Sequence, residues 1–196
     1  MSRRVVLPAV TAVVVVIAAV AGWLWLRKEE PRPAMFHAES TSAFYATIAT
    51  RQADAAPLTV QEVFTPAARA LAKLTLDATA QFDDCDDALQ GVSADGCTQA
   101  LRATYKGEGM AGQFVIFNLG DGKAADALVA GLSKDGFVRQ GIPFDAASSQ
   151  AQVRAMGHYV TVSWVGGTAS ADDLVQALVA LDGLGQVVQT RVVAAG

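Results

Sequence analysis

Gly112-Gln113-Phe114-Val115-Ile116-Phe117-Asn118-Leu119 matches Gly157-His158-Tyr159-Val160-Thr161-Val162-Ser163-Trp164 at an offset of 45 residues. Both stretches are rich in β-branched and aromatic side chains, the composition of a strand. A short segment precedes each one, Leu101-Arg102-Ala103 in the first case and Val153-Arg154-Ala155 in the second. A helical pattern follows each at offset 46, where Leu128, Val129 and Leu132 correspond to Leu174, Val175 and Leu178. Lys106-Gly107-Glu108-Gly109 supplies the turn of the first hairpin and Gly157 that of the second.

The pattern predicts two ββα units. Each alone leaves an apolar sheet face bare, so the two are expected to join. The fold class is then α+β, with one antiparallel sheet built from two ββα units packed against helices. Side chains alternate along a strand, so Val115, Phe117 and Leu119 share a face, and Val160, Val162 and Trp164 share the equivalent one. Those six are the expected core. The opposite face carries Phe114, Ile116 and Asn118 against Tyr159, Thr161 and Ser163. It is too apolar to stand in water and too polar for a deep core. Either a helix near residues 60–74 covers it, or it lines a groove, with Phe114, Ile116, Tyr159 and Thr161 as the face for a ligand or partner.

Upstream, Thr59-Val60-Gln61-Glu62 reads as a capping box, in which hydroxyl and carboxylate satisfy each other's backbone donors. Pro66 interrupts or restarts that helix. Leu74 to Phe82 alternates like a strand, while Val187 to Val193 fits helix and strand alike. Residues 27–58 read as a connector, stiffened by Pro31 and Pro33, and the domain proper as 59–196. Within the connector, Ser42 is placed to cap a short helix carrying Phe44, Ile48 and Tyr45 on one face. It is either a tether or a docked helix.

Val5 to Leu26 carries no charged side chain, and as a helix it spans roughly 33 Å, enough for a hydrocarbon core of about 30 Å. Trp23 and Trp25 stand at its end, where indoles favour the headgroup region. The expectation is a single-pass signal-anchor at 5–26 behind a cytoplasmic stub at 1–4. The competing reading is a signal peptide cleaved after Ala21, since Ala19-Val20-Ala21 has the small-residue pattern. Cations flank both ends, so the positive-inside rule does not orient the span. The two cysteines do: Cys85 and Cys97 close a small loop if bridged, worth about 3 kcal/mol, and a bridge implies an extracytoplasmic domain. Two reduced, buried thiols are the alternative.

From Pro33 onward 10 Lys+Arg face 17 Asp+Glu, a formal charge of −7. That balance argues against nucleic acid, which demands a basic face. Asp83, Asp84, Asp86 and Asp87 form the one cluster with metal-ligand chemistry, for Ca²⁺, but a helix N-terminus is the plainer explanation and no metal is expected. His37 and His158 are the only histidines. A serine nucleophile needs His158 as its base, yet His158 starts a strand, where a solvated hairpin residue is the plain explanation. No HExxH, GxSxG or GxxxxGK[ST] occurs, so no cofactor and no catalytic residue is expected.

The basic start, the Val/Ala-rich run and the Ala-rich acidic domain, with the stretches Gly96-Cys97-Thr98-Gln99-Ala100-Leu101-Arg102-Ala103-Thr104-Tyr105 and Ala155 to Trp164, resemble single-pass envelope proteins of high-GC Gram-positive bacteria. The resemblance implies an address and no activity. The expectation is therefore a membrane-tethered extracytoplasmic accessory or interaction domain, its partners the bilayer and an envelope protein. A binding domain for a small apolar or lipidic ligand is the alternative, and an envelope hydrolase using His158 a third.

Overall fold

The computed structural model describes residues 31–196. The stub, the anchor and the site after Ala21 lie outside the described residues. Among the described residues no helix is long and apolar enough to cross a membrane.

The fold is α+β. The elements are β1 (Met35–Glu39), α1 (Val60–Val63), β2 (Ala70–Leu71), β3 (Leu74–Phe82), β4 (Leu89–Gln90), β5 (Gln99–Gly107), β6 (Met110–Asn118), α2 (Gly122–Lys134), β7 (Phe137–Val138), β8 (Gln150–Met156), β9 (Tyr159–Gly167), α3 (Ala171–Asp182) and α4 (Gln186–Ala195). Seven strands form one sheet in the order β1-β8-β9-β6-β5-β3-β2. All its pairings are antiparallel except β1 with β8. The hairpins β5–β6 and β8–β9 sit side by side through β6 and β9, with Val115 opposite Val162 and Phe117 opposite Val160. Gly109 and Gly157 turn the hairpins at φ of 67° and 62°, a region that suits glycine.

The six expected core residues lie together in one buried cluster, covered by Ala125, Leu128, Val129 and Leu132 of α2. Trp164 anchors it. Its ring meets Phe137 and Phe144 edge-on at 4.9 and 5.0 Å, and its indole N–H donates to Ser149 Oγ at 2.7 Å.

Of the two alternatives for the other face, the structure has it covered by the chain itself, by residues of α3 and α4 as well as by the segment near 60–74. Phe114, Ile116, Tyr159 and Thr161 are at most 1 % exposed. Phe114, Ile116 and Tyr159 belong to a second core with Leu174, Ala177 and Leu181 of α3, Val188 of α4, and Val63 and Phe64. The two units thus send their helices to opposite faces, and the sheet is sandwiched. The inward faces of the two helices also differ. Leu128, Val129 and Leu132 all turn inward, but Val175 is 47 % exposed while Ala177 and Leu181 are buried, so α3 presents a rotated face.

Of the connector at 27–58, residues 31–58 are described, and of the two alternatives, tether and docked segment, they show docking. Met35–Glu39 is an edge strand of the sheet, and Ser42–Ile48 forms a 3₁₀ turn docked on the domain. Ser42 caps nothing; its hydroxyl donates to Asp126 Oδ2 at 2.6 Å. Ile48 is buried, whereas Phe44 is 85 % exposed. Arg32 donates to the carbonyls of Leu132, Ser133 and Lys134, where a cation suits the C-terminal end of α2.

Thr59 and Glu62 form the capping box, and Pro66 opens a further 3₁₀ turn to Arg69. The chain's end, 186–195, is helix. Cys85 and Cys97 are bridged, with Cα atoms 6.1 Å apart, and no free cysteine remains.

Candidate functional site

With the Phe114–Tyr159 face closed, an accessible concave feature lies elsewhere on the domain. A groove of about 460 Å³ runs between the segment from α1 to β2 and the segment from the end of α3 to α4. One wall is Val63, Ala67, Ala68 and Leu71; the other is Ala180, Leu184 and Val187. Small side chains keep it hollow, and its volume falls in the range of small-molecule sites. Thr65, Gln186 and Thr190 add polar groups, and Glu62 closes one end.

Glu62 is held there by charge. Arg191 on α4 donates through Nε to Glu62 Oε1 at 2.6 Å and through Nη2 to Oε2 at 2.8 Å, a bidentate pair. The same guanidinium donates to Asp54 Oδ1 at 2.8 Å and to the carbonyls of Ala56 and Pro57. Tyr159 O–H completes the network by donating to Asp54 Oδ2 at 2.7 Å. Burial first, then the bond to Asp54, raises the Tyr159 pKa, and the bonds to Glu62 raise that of Arg191. The groove is therefore braced by a satisfied ionic network. Arg191 is fully engaged.

A smaller hollow of about 180 Å³ shares Gly183 and Gln186 with the groove. There Arg154 pairs with Asp182 at 2.6 Å and Glu39 at 2.9 Å. Burial raises the Asp182 pKa, and Arg154 opposes it.

His158 is not the solvated hairpin residue expected. It is fully buried, and Nδ1 donates to Ile48 O at 2.8 Å. Its Nε2 has no partner among the described residues, and burial lowers its pKa. Nor does it meet the groove: the residues lining that hollow do not include it.

Of the acidic cluster, Asp84 caps the turn Cys85–Ala88 by accepting from Asp86 N, and Asp86 accepts from Ala94 N. Among the described residues no group of three or more His, Cys, Asp or Glu is arranged to hold a metal ion. The sequence reading missed Asp54 and Arg191, which stand 137 residues apart. A lone Arg in a segment that fitted helix and strand alike gave no signal.

Comparison with protein-family models, with curated proteins and with solved structures finds no match in any of the three.

Proposed function

We propose that this chain is an accessory or interaction domain that stands outside the cytoplasmic membrane, tethered by the run Val5 to Leu26 and without catalytic activity of its own. The bridge between Cys85 and Cys97, with no cysteine left free, is the observation that carries this reading. Such bonds persist in oxidising compartments. The charge of −7 from Pro33 onward supports a protein partner over nucleic acid or an anionic lipid surface. The sealing of His158 counts against the serine hydrolase reading that rests on it, because the imidazole that the serine would need is fully buried.

Binding of a small apolar ligand is the second reading, and the groove beside Glu62 favours it. The site then moves off Phe114 and Tyr159 to the walls formed by Val63, Leu71, Leu184 and Val187.

Alkylation of denatured full-length protein taken from membranes tests the first reading. The expected outcome is no labelled cysteine without reductant and two with it. Free thiols in the unreduced sample overturn it.

A further inference from the structure

One edge of the sheet is left open. β2 pairs only with Leu74 and Thr75, so β3 from Asp77 to Phe82 has no strand on its outer side among the described residues. Protein edges are commonly guarded by Lys, Pro, bulges or shortness. Here the irregularity falls between Leu76 and Ala78, at the near end. Beyond it, Ala78-Thr79-Ala80-Gln81-Phe82 extends roughly 17 Å with no charge and no proline. The opposite edge, β1, is different: its His37 and Glu39 are charged or ionisable and pair with each other.

A second feature meets the same edge. Arg102 on β5 is in register with Ala80, and its guanidinium lies 4.9 Å over the Phe82 ring. Gly141 closes on it from the chain, so near that a Cβ there would stand 2.6 Å from Nε. The side chain is half-buried, and among the described residues it makes no ion pair and no hydrogen bond to an acceptor. A guanidinium held in this way, stacked yet lacking its carboxylate, is built for planar recognition of an acid.

We propose that the outer edge of β3 takes up an extended segment of a partner protein by strand addition, with an Asp or Glu of that segment received by Arg102. Main-chain bonds along Ala78–Phe82 supply the pairing, and the acid supplies register. The small Ala80 side chain leaves the guanidinium within reach of a strand laid beside β3. A second copy of this chain is a poor occupant. Antiparallel pairing centred on Ala80 sets Asp83 of one copy against Asp77 of the other, and like charges facing each other are unfavourable. The proposal names a docking site for the interaction reading and rests on it; thiol alkylation tests that reading separately.

The test is panning of a displayed random heptapeptide library against the full-length chain in lipid nanodiscs. Expected are heptapeptides with alternating β-branched residues and an acid at one fixed position. Their binding weakens at least tenfold on Arg102→Gln. It weakens also on Gly141→Ala, which displaces the guanidinium without changing charge, and survives in part on Arg102→Lys. Amide exchange of Ala78–Phe82 slows when such a peptide binds. An absence of enrichment, an enriched set without acids, binding indifferent to Arg102→Gln in a folded and bridged variant, or unchanged exchange at Ala78–Phe82 overturns the proposal.

Discussion

His158 carries the sharpest pH dependence at the scale of a single residue. Its Nδ1–H is committed to Ile48 O, and the remaining nitrogen is buried without an acceptor, so a second proton has nowhere favourable to sit. Burial lowers the folded-state pKa below the ordinary value of about 6.5. The unfolded chain therefore binds the proton first as pH falls. Stability from this group is complete well above pH ~6.5 and is lost below it, by up to about 1.4 kcal/mol per pH unit, until the folded imidazole itself protonates. Urea midpoints measured from pH 7.5 to 5 should fall in the wild type. His158→Asn keeps an N–H donor for Ile48 and cannot titrate, so its midpoint should fall less over that range. The sequence placed His158 at the hairpin turn. It did not show the burial, because the segment that seals it, Ile48 to Asp54, read as connector.

At the scale of elements, the alternation in Phe114–Asn118 and Tyr159–Ser163 fixed which residues share a face. The polarity of the second face was misleading. Thr161 and Ser163 look half-wet in a linear pattern, yet both are buried. A helix's contribution to a core depends on its rotation, and two residues, roughly 200° around the helix, separate the inward Ala177 from the exposed Val175. The capping box at Thr59–Glu62 and the turn glycines were legible because their chemistry is local. The pairing of α4 with the segment at 54–62 was not, since it rests on one long-range guanidinium. Arg191→Ala leaves Asp54 and Glu62 without their cation and should cost about 3 kcal/mol. Arg191→Lys keeps the charge, loses the bidentate geometry and should fall between. Urea unfolding gives the cost, and faster amide exchange at residues 54–63 gives the location. Equal stability of Arg191→Ala and wild type contradicts the role assigned to the network.

For the whole molecule, two cores on the two faces of one sheet make a prediction that a single-core ββα pair does not. Phe117→Ala on one face and Phe114→Ala on the other should each cost about 3–5 kcal/mol. A ligand-lining Phe114 would tolerate the change at far lower cost. Urea titration of the two variants separates the cases. The α+β class and the two adjacent hairpins were readable from the repeat, because strand alternation and helix spacing are written in neighbouring residues. The edge strand β1 was not, since its partner β8 lies more than a hundred residues away. The functional reading depends on which side of the membrane this domain occupies. Val193 is 81 % exposed on α4, so Val193→Cys in the full-length chain provides a surface thiol beside the bridged pair. Intact cells treated with a membrane-impermeant maleimide should label that cysteine as fully as disrupted cells do. Labelling that appears only after the membrane is broken would contradict the account.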